Sequence, residues 1–85
     1  MSNVDTYKLR NFDELLEAVE TGLDVEFFID EVRYNISWSG GKPFICICPY
    51  GDAIFFEDAN DLLCEYKVNG TSIKELWKDI NIYSM

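Results

Sequence analysis

The chain has 85 residues, with 16 Asp and Glu against 7 Lys and Arg, no histidine, and a formal charge of −9. A chain this short forms one domain, here residues 1–85, and buries little more than half of its unfolded surface, so its core must use large side chains. Its 48% apolar residues, 15% of the total being aromatic, supply them and exclude a disordered composition. The excess negative charge argues against direct contact with DNA or RNA and favours a basic protein surface as partner.

In chain order, the first predicted element is a helix. Asn11 stands three residues before Glu14 as a capping pair, Phe12, Leu15, Leu16 and Val19 recur at helical spacing, and Gly22 offers a left-handed stop. Next come "VEFFI" and "VRYNISW", separated by Asp30-Glu31; in the second, Val32, Tyr34, Ile36 and Trp38 alternate with Arg33, Asn35 and Ser37. Gly40-Gly41 turns the chain into "PFICIC", and Pro49-Tyr50-Gly51-Asp52 turns it again into "AIFFE", giving a four-stranded antiparallel meander. Asp58 caps a second helix carrying Leu62, Leu63 and Tyr66. Asn69-Gly70 breaks the chain, and Ser72 with Glu75 opens a third helix that buries Ile73, Leu76, Trp77 and Ile80. The closing "NIYSM" fits a short strand or a docked tail equally well. The expectation is an α+β domain: an N-terminal helix, a four-stranded sheet and two C-terminal helices.

Apolar side chains fall on both parities of three of the four strands, as in Phe27/Phe28, Ile45/Cys46/Ile47 and Ile54/Phe55/Phe56. Two readings are open. Either the helices divide over both faces of the sheet or the sheet curls strongly around the core, or else the second face meets a partner or a second copy of the chain.

The chain lacks the side chains for several chemistries. Without histidine there is no Ser/His/Asp or Cys/His nucleophile and no imidazole general base. Cys46, Cys48 and Cys64 are an odd count and expected to be reduced, with the Cys46/Cys48 pair packed in the core; they do not make a four-ligand metal site, and no metal or cofactor is expected. Gly40-Gly41-Lys42 lacks phosphate-loop spacing, and nothing marks a paired-carboxylate active site, so the chain reads as non-catalytic. No run approaches the roughly 18 apolar residues of a membrane span and "MSNVDTYKLR" has no signal-like apolar region, so a cytoplasmic location is expected and the sequons at Asn35 and Asn69 are expected to be unused.

The charge is distributed unevenly. Between Asn11 and Glu31 stand Asp13, Glu14, Glu17, Glu20, Asp24, Glu26, Asp30 and Glu31 with no base among them, and these are the candidate partner-binding residues. A second acidic run, Asp52, Glu57, Asp58, Asp61 and Glu65, follows, whereas Lys67, Lys74 and Lys78 lie near the end. On the first helix Asp13, Glu17 and Glu20 share one face with neighbours about 5–6 Å apart, a spacing at which like charges destabilise an isolated helix. Such a row either serves solubility alone or meets a cationic groove normally occupied by nucleic acid.

"NFDELLEAVETG" near the start, a short meander, and "VNGTSIKELWKDI" near the end together resemble small proteins encoded by bacteriophages and mobile elements of Gram-positive bacteria. That resemblance implies host-takeover or anti-defence factors, anti-CRISPR proteins among them, which act by stoichiometric binding. The expectation is therefore an inhibitor of a host nuclease or other nucleic-acid-binding protein. The alternatives are a homodimeric adaptor that uses the apolar sheet face, and a small enzyme or ligand binder with a deep polar pocket.

Overall fold

A computed structural model describes residues 6–85. The chain is α+β: a six-stranded, antiparallel sheet carries two helices, and a separate two-stranded hairpin lies between the second helix and the C-terminus. The sheet elements are β1 (Tyr7–Lys8), β2 (Val25–Ile29), β3 (Val32–Ser39), β4 (Lys42–Ile47), β5 (Ile54–Phe55) and β8 (Asn81–Ser84), in the spatial order β1-β8-β2-β3-β4-β5. The helices are α1 (Phe12–Glu20) and α2 (Ala59–Glu65), and the hairpin pairs β6 (Lys67–Val68) with β7 (Thr71–Ser72).

The meander from β2 to β5 forms as expected, with registers that set Phe27 opposite Tyr34, Ile36 opposite Ile45, and Phe44 opposite Phe55. Asp30 and Glu31 turn β2 into β3 with φ of 49° and 69°, and Gly40 and Gly41 turn β3 into β4 with φ of 63° and 84°. Both central residues at positive φ give the twist that a tight hairpin needs, at a steric cost for Asp30 and Glu31 that Gly40 and Gly41 avoid. After β4 the chain folds back so tightly that the Gly51 amide meets the Ile47 carbonyl, and a Cβ at Gly51 would lie 2.6 Å from that oxygen.

Two corrections concern the C-terminal third. The third helix does not form. Ser72 and Glu75 make the capping pair, the Ser72 hydroxyl accepting from the Glu75 amide at 3.2 Å and donating to the Glu75 carboxylate at 3.3 Å. The chain then runs through turns into a short 3₁₀ segment, Trp77–Asp79. The reason is tertiary: Ile80 and Ile82 are fully buried, and Ile82 must be extended to lie opposite Phe27 on one side and Tyr7 on the other. Sheet pairing here overrides a local helix signal. "NIYSM" is thus a strand, and an inner one, inserted between β1 and β2; the sheet has six strands where four were expected. Asn69-Gly70, expected only as a break, is the turn of the β6–β7 hairpin, with φ of 54° and 84°.

Both helices pack on one face of the sheet. Leu15, Ala18 and Val19 of α1, Ala59, Leu62 and Leu63 of α2, and Val25, Phe27, Ile29, Tyr34, Ile36, Ile45 and Ile82 of the strands belong to one buried cluster. The Trp38 indole donates to the Val19 carbonyl at 2.8 Å, tying β3 to the C-terminal turn of α1, where a helix has carbonyls without internal partners. Tyr34 stacks on Phe27 with centroids 5.4 Å apart and meets the edge of Tyr66 after α2. The division of helices over two faces is not what forms. Among the described residues no helix covers the other face.

Two outcomes test this packing. Ile82→Ala removes a fully buried side chain of an inner strand and lowers stability by about 2–5 kcal/mol, read from urea unfolding. Burial raises the Tyr34 and Tyr66 hydroxyls above their ordinary value of 10.0. The folded state thus holds those protons more tightly than the unfolded chain, so the contribution of these two hydroxyls to stability is fully present below their unfolded value and is lost as pH rises through the folded values. Tyr34→Phe reduces that alkaline loss in a urea midpoint series.

Candidate functional site

The helix layer places the row that helical spacing predicts. Asn11 caps α1 by accepting from the Glu14 amide at 2.9 Å, and Glu14 reaches back to accept from the Arg10 amide at 2.9 Å. This reciprocal cap fixes the start of α1, and the helix then presents Asp13, Glu17 and Glu20 to solvent opposite the buried Leu15, Ala18 and Val19. Asp13 lies in the first turn, where the helix dipole favours a carboxylate; Glu17 and Glu20 lie beyond it. None of the three has a Lys or Arg within ion-pair distance among the described residues.

The other five members of the acidic segment are dispersed. Glu14 is half-buried and paired with Arg10 at 3.5 Å. Asp24 and Glu26 belong to the uncovered side of the sheet: Asp24 accepts from the Ser37 hydroxyl, and Glu26 pairs with Arg33 at 3.0 Å. Asp30 and Glu31 are exposed at the tip of the β2–β3 hairpin. The eight residues therefore occupy three places, and one of these, the α1 row, is a continuous line of free carboxylates.

The second acidic run is also partly engaged. Asp58 caps α2 by accepting from the Asp61 amide at 2.7 Å, Asp61 accepts from the Glu57 amide at 3.2 Å, and Glu57 pairs with Lys42 at 3.1 Å. Glu65 and Asp52 are exposed. Lys67, Lys74 and Lys78 do not neutralise these groups: Lys67 donates to the Cys64 carbonyl, and the ammoniums of Lys74 and Lys78 sit over the rings of Phe12 and Trp77 at 5.8 and 5.7 Å. A shallow, wide-mouthed depression lined by Arg10, Asn11, Asp13, Glu14 and Glu17 opens beside the start of α1. Three of its five lining residues are acidic, and Arg10 brings one cation to its wall.

The uncovered sheet face has a different chemistry, which strand parity in the sequence signalled without locating. It displays Phe28, Phe44, Phe55 and Tyr83, with Asn35, Ser37, Cys46 and the Glu26–Arg33 pair among them. Phe44 and Phe55 touch at 5.2 Å between centroids, Tyr83 meets Phe28 edge-on, and the Arg33 guanidinium lies 5.0 Å from the Tyr83 ring centre. Its hydrogen bond to Glu26 raises Arg33 above its ordinary value. Cys46 is a further correction. It is half-buried on this face and not part of the core, and Cys48 and Cys64 are half-buried as well. Burial pushes the Cys46 thiol up, with Cys48 beside it adding to the shift.

Among the described residues no three Cys, Asp or Glu side chains converge as a metal site would require, and no helix is long and apolar enough to cross a membrane. Comparison with family models, curated proteins and solved structures finds no match to this chain.

The reciprocal cap sets the orientation of the acidic row, and Asn11→Ala tests it. Its loss lowers stability by about 1 kcal/mol in urea unfolding, with the far-ultraviolet spectrum of the folded state retained.

Proposed function

We propose that this chain is a non-catalytic, cytoplasmic binding protein that occupies a basic surface on a nucleic-acid-handling protein and excludes its substrate, as a phage-type anti-defence inhibitor of the anti-CRISPR kind would. The observation that carries the reading is the line of Asp13, Glu17 and Glu20 along the outer face of α1, without an ion-pair partner among the described residues. Carboxylates at this spacing, about 5–6 Å, offer a cationic groove a succession of charges comparable to a nucleic-acid strand.

The energetics fit such a role. Holding like charges along one helix face costs a few tenths of a kcal/mol per pair in the free protein, and that repulsion is relieved when Lys or Arg side chains come between them. Coulomb attraction to a basic groove speeds encounter and weakens with added salt. Of the eight acidic positions from Asn11 to Glu31, Asp13, Glu17 and Glu20 are assigned to the contact. Asp30 and Glu31 at the hairpin tip are free to make a second one, whereas Glu14, Asp24 and Glu26 are spent on local hydrogen bonds and ion pairs.

The test is capture from a Gram-positive host extract with the wild-type chain and with the Glu17→Lys/Glu20→Lys double variant. The variant is expected to fold with stability within about 0.5 kcal/mol of wild type, since neither side chain is buried or paired. A nucleic-acid-binding protein retained by wild type, displaced by nucleic acid and by salt, and lost with the variant supports the proposal. Retention that ignores both the charge reversal and salt contradicts it.

A further inference from the structure

We propose that Cys46 and Cys48 form a two-coordinate site for a soft monovalent cation, copper(I), on the outer face of the sheet, with the Arg33 side chain as its neighbour. The site lies apart from the acidic row and does not depend on the function given to it.

The first argument is placement. Cys46 lies in β4 opposite Asn35, and the ladder runs on to Cys48, whose amide donates to the Arg33 carbonyl at 2.9 Å. Residues two apart on a strand share a face, and here it is the face away from the helices, since Ile45, of opposite parity, is fully buried in the core. Both thiols are half-buried, so neither is sealed from solvent. Burial is the main cause that raises the Cys46 thiol, and Cys48 adds to it; Cys48 also acts on Arg33, after Glu26. The two sulfurs and the guanidinium are thus mutual neighbours. Cys64 belongs to α2 in the helix layer, where its thiol meets the Asn60 carbonyl oxygen at 3.9 Å, and takes no part.

The second argument is reach. A disulfide needs Cβ atoms about 3.5–4.5 Å apart. Two steps of about 3.3 Å along a strand set same-face Cβ atoms about 6.6 Å apart, too far to close without bending β4. Metal–thiolate bonds of about 2.3 Å put two sulfurs on a linear ion about 4.6 Å apart, which two thiols leaning together span from an unchanged strand. The spacing therefore refuses a sulfur–sulfur bond and accepts a sulfur–metal–sulfur bridge.

The third argument is chemistry. Three cysteines fall short of a four-ligand zinc site, but copper(I) is soft, is selected by thiolates, and is satisfied by a pair of them. Binding displaces the thiol protons and leaves the ion and its two thiolates with one net negative charge. Arg33 meets that charge. Its Nη2 donates to Glu26 at 3.0 Å, whereas its Nε is buried and has no hydrogen-bond partner among the described residues. A thiolate at Cys48 supplies the acceptor which that N–H lacks, an outer contact of the kind that holds a metal ligand in place.

Titration of the reduced chain with copper(I) under anaerobic conditions, in competition with a chromophoric copper(I) chelator, tests the inference. The expected result is one copper per chain in native mass spectrometry, held against the chelator, with two sulfur neighbours in X-ray absorption. Cys64→Ser is expected to bind as wild type does, and Cys46→Ser and Cys48→Ser each to lose the ion. Arg33→Lys keeps the charge and removes the Nε–H, and is expected to weaken binding by about 10–100-fold with the circular dichroism of the fold retained. A readout that needs no variant is protection: one equivalent of copper(I) shields Cys46 and Cys48 together from alkylation while Cys64 stays reactive, as read by peptide mass spectrometry. Copper surrendered to the chelator, retained after loss of either thiol, dependent on Cys64 or indifferent to Arg33 overturns the proposal, as does a Cys46–Cys48 disulfide that forms in the folded chain in air.

Discussion

The one-sided stacking of α1 and α2 on a six-stranded sheet is the constraint from which the other properties of this molecule follow. With one buried cluster shared by both helices and the inner face of the strands, the chain has a single core and two unlike surfaces. The helix surface can be as polar as solubility permits. The outer sheet surface has no such freedom, because alternate residues of hydrophobic strands must point somewhere. Phe28, Phe44 and Cys46 are among the residues left on that side, half-buried among their neighbours.

What closes this arrangement is the last strand. β8 lies between β1 and β2, so the beginning and end of the described chain meet at one edge of the sheet. Ile80 and Ile82 are fully buried there, and the register shift opposite Glu26 and Phe27 brings Tyr83 to the outer face beside Phe28 and Arg33. A strand that joins distant parts of the chain adds long-range contact, which costs loop entropy before it contributes stability.

Much of this was legible in the sequence where the signal is local. The caps Asn11 and Asp58, the glycine turn at Gly40-Gly41 and the alternation from Tyr34 to Ile36 form as their residue types dictate. The failures share one cause, pairing between residues far apart. Tyr7–Lys8 carries no strand pattern of its own, and Ser72–Glu75 carries a helix signal that the sheet's need for extended Ile82 cancels. The same holds for the charge. Asp13, Glu17 and Glu20 could be set on one helix face from spacing alone. That Glu14 and Glu26 are neutralised was hidden, because Arg10 and Arg33 lie just outside the acidic segment and Arg33 reaches Glu26 across a strand register. The two-sided apolar strands told of a second face; only the fold shows which residues line it.

The central claim is that negative potential is concentrated on the outer face of α1, whereas on the outer sheet face Glu26 is paired with Arg33. The most direct measurement is a backbone amide NMR titration of the protein with a short oligolysine at low salt. The account predicts shift changes that centre on Asp13, Glu17 and Glu20 and leave Phe28, Asn35, Ser37 and Phe44 unmoved. Changes spread evenly over the molecule, or centred on the sheet face, would contradict it.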